Sequence, residues 1–105
     1  MPYQVVYSRS ARLHLISLQS YIARQGSPEN ARKYVAAIVA KCDGLALSPW
    51  QGTARDDLEP GLRTTGFRSR VTIVFRVSSK TVLIAGIFYA GRSVEKFLSR
   101  SSRGN

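Results

Sequence analysis

Residues 71–89 read VTIVFRVSSKTVLIAGIFY, and this stretch decides the fold. Val71, Ile73, Phe75 and Val77 recur at every second position, the period of a strand with one apolar face. Arg70, Thr72, Val74 and Arg76 are left for the opposite face. Ser78-Ser79-Lys80 makes a turn. Residues 81–89 are apolar at nearly every position, which predicts a central strand covered on both faces. Gly86 inside that run marks a bulge or close packing. Leu62 to Phe67 supplies a further strand, antiparallel to residues 70–77.

Upstream the period is 3.6 rather than 2. Residues 3–7, YQVVY, are β-branched and aromatic and stop at Ser8, a favourable helix cap, so a short strand runs directly into a helix. Ala11, Leu15, Leu18 and Ile22 then recur at helical spacing, with Arg9, Arg12, Gln19 and Arg24 facing outward. Gly26 ends this helix. Ser27-Pro28-Glu29 starts another with a capping hydroxyl, a proline preset for the first turn and an anion at the positive end of the dipole. This second helix buries Ala31, Tyr34 or Val35, Ile38, Cys42 and Leu45. Because so few residues separate the helices, they form an antiparallel hairpin. Residues 48–61, SPWQGTARDDLEPG, read as a surface loop, with Trp50 as a plug over the core.

The order is therefore β-α-α-β-β-β with a short C-terminal helix opening at Ser93, an α+β fold. The helical hairpin packs on one face of a mainly antiparallel sheet. The other face carries Arg70 and Arg76, with the last helix left to cover it. Residues 1–105 read as a single domain with a tail, 99–105, that frays. No apolar run approaches a membrane span, so the expectation is a soluble, cytoplasmic protein.

Sixteen Lys and Arg against six Asp and Glu give a net charge of +10 in 105 residues. Such a surplus fits an acidic partner. The C-terminal half holds ten of the cations. Four of them, Arg92, Lys96, Arg100 and Arg103, are spaced to stack on one face of the last helix, continuing toward Arg70 and Arg76. Val94, Phe97 and Leu98 lie off that row as anchors.

Side chains for acid–base or nucleophilic work are scarce. Cys42 reads as a small buried hydrophobe, and His14, the lone histidine, is assigned no role. Asp56, Asp57 and Glu59 lack metal-ligand spacing and read as loop acids paired with Arg55 or Arg63. Neither a metal nor a cofactor is implied. Tyr89, at the end of the central strand and followed by Ala-Gly-Arg, is the remaining suggestive polar group, with a phenol next to Arg92.

The segments RDDLEPGLRTTGF (55–67), VTIVFRV (71–77) and TVLIAGIFYAGRSVEKFL (81–98), in this order, resemble the RelE/ParE superfamily of toxins from type II toxin-antitoxin modules. The ParE branch is the more similar, over about residues 3–98. The resemblance implies a toxin neutralised by a cognate, acidic, ParD-like antitoxin in a hetero-oligomer, with DNA gyrase as the target. In RelE-like members it implies ribosome-dependent cleavage of mRNA, which needs cations and a group that moves a proton. Arg68, Arg70, Arg92 and Tyr89 would carry that alternative. The last-helix tyrosine of that branch is replaced here by Phe97 or Leu98, which favours the ParE reading, a binding protein without turnover. Arg70, Arg76, Arg92, Lys96 and Arg100 are then the expected target-binding set. Leu18, Ile22, Tyr34, Arg68 and Arg76 are the expected antitoxin contacts. A third possibility is an inactive toxin kept as an antitoxin-binding module.

Overall fold

A computed structural model describes residues 2–89. The elements are β1 (Gln4–Tyr7), α1 (Arg9–Gln25), α2 (Pro28–Asp43), a 3-10 turn (Gly44–Ala46), β2 (Thr53–Ala54), β3 (Leu62–Phe67), β4 (Val71–Ser78) and β5 (Thr81–Tyr89). The helix opening at Ser93, its cation row and the tail fall outside the described residues.

The strands form one sheet in the order β1-β5-β4-β3-β2. β1 lies parallel to β5, and the other neighbours are antiparallel. The two helices pack as a hairpin on one face, as the sequence predicts. Both are capped by the expected residues: Ser8 Oγ accepts from Ala11 N at 3.0 Å, and Ser27 Oγ accepts from Asn30 N at 3.1 Å.

The core lies between hairpin and sheet. Ala11, Leu18, Ile38, Cys42 and Leu45 meet Val71, Ile73, Phe75, Val82, Ile84 and Ile87, with Tyr34 and Ile22 packed at its margin. A second cluster on the opposite face joins Leu62, Val74 and Phe88, with Leu58 and Ala85 against it. β5 is therefore covered on both sides.

A bulge explains why β5 shows no clean alternation. Val74 pairs with Gly86 and Phe75 with Ile84, so Ala85 is the extra residue. Val82 and Ile84 face the helices before it, and Ile87 and Tyr89 face them after it. The parity of the strand changes at the bulge.

β1 ends at Tyr7, while β5 runs on to Tyr89, which leaves the rest of that edge of β5 without a strand neighbour among the described residues. The Ser8 cap, through its backbone amide and its hydroxyl, and His14 of α1 take its place. Ser8 N donates to Ile84 O at 2.9 Å, Ser8 Oγ donates to Ala85 O at 3.0 Å, and Ile87 N donates to His14 Nδ1 at 3.0 Å. His14 thus serves as a ladder acceptor, with its proton on Nε2. Its ring also lies 4.9 Å from that of Phe88. His14→Ala is expected to cost about 1–2 kcal/mol, because the Ile87 amide loses its acceptor. Urea unfolding measures the loss, and amide exchange at Ile87 should accelerate about tenfold.

The turn between β3 and β4, residues 68–70, is closed by Arg70 N donating to Phe67 O at 3.2 Å. Arg68 and Ser69 both sit in the left-handed region, at φ 52° and 58°. Side chains with a Cβ are disfavoured there. Ser69→Gly should therefore stabilise the chain by about 0.5–1 kcal/mol, the relief of the strain less the extra freedom of the unfolded glycine. A higher melting temperature would show it.

Candidate functional site

The turn of the helical hairpin, the β3–β4 tip and the C-terminal end of β5 meet at one end of the molecule. Register explains why. Phe67 pairs with Val71, which pairs with Tyr89, and all three face the helices. Tyr34, nearly two turns into α2, lies over this row.

The result is an aromatic cluster edged by cations. Tyr34 packs edge-on against Phe67 at 5.7 Å and against Tyr89 at 6.2 Å, and Tyr21 lies 5.8 Å from Tyr89. The Arg68 guanidinium sits over both Phe67, at 4.8 Å, and Tyr34, at 5.7 Å, within cation–π range. Arg70 is exposed beside it. Burial, helped by Tyr89, pushes the Tyr34 phenol up, while Arg68 and Arg70 oppose the shift. Its hydroxyl is buried and has no hydrogen-bond partner among the described residues.

Next to the cluster, a groove of about 420 Å³ runs between α1 and the open edge of β5, lined by His14, Ser17, Leu18, Tyr21, Arg24, Ile87 and Tyr89. The α1 residues of this groove fall at i, i+3, i+4, i+7 and i+10. That spacing was visible in the sequence as a helix face adjacent to the core stripe.

Arg68, Tyr34 and Tyr89 are thus brought together, with Arg70 beside them. Leu18 is buried in the core and reaches the groove with its edge, and Ile22 is half-buried. Arg76 is not part of the assembly. It lies six residues along β4 from Arg70, about 20 Å away at strand rise. It forms an ion pair with Glu59, and its Nη1 donates to Pro60 O at 2.9 Å. Arg76 thus stands apart from Arg68 and Arg70, and the basic surface expected to join them to the last helix runs through residues outside the described ones. Arg92, Lys96 and Arg100 lie outside the described residues.

Arg63 also differs from expectation. Its register partner is Phe75, which places it on the helix side, whereas Leu62 pairs with Arg76 on the side of the 55–61 loop. Arg76 therefore takes the loop acid. Arg63 instead stacks on Trp50 at 5.6 Å and donates to the carbonyls of Trp50 and Gln51. Trp50 is 61% exposed, so it is not a core plug. Asp57 pairs with Arg55 at 2.9 Å, and Asp56 accepts from Gly61 N at 2.8 Å.

Two further titratable groups are shifted by burial. Tyr7 donates to Asp43 at 2.7 Å, and burial and that carboxylate both hold the phenol protonated. Burial pushes the Cys42 thiol up to about 12. Among the described residues no group of three His, Cys, Asp or Glu could hold a metal ion, and no helix is long and apolar enough to cross a membrane.

The family model described as the ParE toxin of the type II toxin-antitoxin system parDE matches residues 5–94. The chain belongs to the ParE toxin family. Solved structures agree with this ParE assignment at the level of the fold. A structure of the chromosomal ParDE system from P. aeruginosa is similar, with a TM-score of 0.74 and 27% identity over 84% of this chain and 96% of that one. The RelBE2 toxin-antitoxin complex from Mycobacterium tuberculosis matches at a TM-score of 0.59 and 22% identity, covering 85% of this chain and 99% of that one. The isolated E. coli RelE toxin matches at 0.52 and 18%, covering 98% and 99%. No curated protein matches the sequence. The ParE and RelE branches share this two-helix, five-strand frame.

Proposed function

We propose that this ParE-family chain acts on DNA gyrase by binding, without turnover, and that an acidic ParD-like antitoxin neutralises it in a toxin-antitoxin hetero-oligomer. The observation that carries the reading is the family match over residues 5–94, reinforced by greater likeness to the ParDE structure than to the RelE toxin. The chemistry of the described residues supports it. Tyr34 is held protonated by burial, Tyr7 is committed to Asp43 and Cys42 is pushed up to about 12. None of these is a base near neutral pH.

Under this reading the antitoxin covers the groove and the aromatic end, meeting Leu18, Ile22, Tyr34 and Arg68. Arg70, with Arg92, Lys96 and Arg100 from the C-terminal segment, contacts the target. Arg76 holds the 55–61 loop in place.

The test is controlled expression with two readouts, plasmid supercoiling and mRNA integrity, followed by gyrase assays with the purified toxin. Lost supercoiling with intact mRNA is the expected result. Cleaved mRNA would instead favour the nuclease alternative, for which the meeting of Arg68 and Tyr89 around Tyr34 is the supporting geometry. A chain that affects neither is an antitoxin-binding module.

A further inference from the structure

Five of the six acids lie among the described residues, and each is engaged away from the β3–β4 tip. Glu29 pairs with Lys33 at 3.3 Å, Asp43 accepts from Tyr7, Asp56 from Gly61, and Asp57 and Glu59 pair with Arg55 and Arg76. Arg24, Arg68 and Arg70 have no ion pair among the described residues. The same end of the molecule holds the buried Tyr34 hydroxyl without a hydrogen-bond partner among those residues. Native proteins leave few such groups, and each calls for an acceptor such as water, a ligand or a partner.

We propose that Arg68 and Tyr34 form a receptor for a carboxylate of the antitoxin, with Arg70 and Tyr89 alongside, while a neighbouring apolar side chain of the same segment enters the groove of about 420 Å³. This rests on the toxin-antitoxin reading above and names the group recognised. A carboxylate suits the site because its two oxygens accept from the guanidinium fork and the phenol together, once the side chains covering the Tyr34 hydroxyl in the free chain are displaced. The +10 charge favours an acid-rich partner. A nucleic acid is disfavoured by the packing: Tyr34 carries Arg68 over its ring and packs in T-shaped contact with Phe67 and Tyr89, which crowds a base out of stacking there.

The experiment is calorimetric titration of the full chain with the antitoxin encoded beside it, at two salt concentrations. Arg68→Ala should weaken binding about 10–100-fold and flatten its salt dependence. Tyr34→Phe should weaken it about 5–10-fold yet leave the free chain at least as heat-stable, because the hydroxyl makes no hydrogen bond among the described residues. Arg68→Lys should restore charge but not the full affinity. Arg32→Ala, an exposed position elsewhere on α2, should stay within about twofold. Unchanged affinity in Arg68→Ala and Tyr34→Phe overturns the proposal and leaves the toxin reading standing. Failure of the wild-type chain to bind the antitoxin overturns that reading, and the receptor with it. Two other outcomes also overturn the receptor. One is a loss of nucleic-acid binding in these variants at unchanged antitoxin affinity. The other is a non-additive drop in free-chain melting temperature for Glu95→Gln and Arg68→Ala, which would place the chain's own acid in the site.

Discussion

Phe75→Ala should lower the melting temperature of the free chain by about 15–30 °C, the expected result of losing about 3–5 kcal/mol of core packing. Phe75 is fully buried and heads the largest enclosed side chains. It stands on β4, between Arg63 of β3 and Ile84 of β5, and points at the helical hairpin. Truncation there removes contacts to both layers at once, and a close-packed interior refills such a hole poorly. A domain of this length has about 5–15 kcal/mol of stability in all, so the variant should lie near its unfolding threshold. Calorimetry measures the effect. Leu47→Ala is the comparison: Leu47 is 79% exposed, and its loss should stay within about 0.5 kcal/mol.

Gly52→Ala should cost about 2–4 kcal/mol, and Gly61→Ala about 1–2 kcal/mol. Both glycines are left-handed, at φ 84° and 82°, so the conformational penalty is shared. They differ in space. A Cβ at Gly52 would lie 2.3 Å from the Thr64 carbonyl oxygen, a backbone atom that cannot swing aside, whereas nothing lies within 4 Å at Gly61. The difference between their denaturation midpoints therefore isolates the close approach of the 48–54 segment to β3. Relief of that clash must part Thr53 from Thr64, and with it the seat of Arg63 on Trp50. Tryptophan fluorescence should report the release in Gly52→Ala and not in Gly61→Ala.

Local signals in the chain carried most of the secondary structure. Ser8, Ser27 and Pro28 act through hydrogen bonds and fixed torsions within a few residues of themselves, so their effect is readable without the rest of the fold. The alternation of Val71, Ile73 and Phe75 has the same character. Less of the site was readable. Tyr34, Arg68 and Tyr89 could be named as candidates, but their meeting depends on register across three strands and on the position of α2 above them. His14 showed no role in the sequence, because the ladder it completes exists only where β1 stops short of the end of β5.

The bulge at Ala85 shows the same boundary from another side. A strand buried on both faces has no polar positions to mark its phase, so the parity change between Ile84 and Ile87 leaves no trace in the residue pattern. Arg63 is much nearer than Arg76 to the loop acids along the chain, yet strand parity made the choice between them, sending Arg63 to the helix face and Arg76 to Glu59. By itself, then, the sequence determined the helices, their caps, the β4–β5 hairpin and the excess of positive charge, since each rests on near neighbours or on composition. The tertiary structure alone decided the parallel pairing of β1 with β5, the partner of each arginine and the unsatisfied Tyr34 hydroxyl, because those depend on residues far apart in the chain meeting at a definite register.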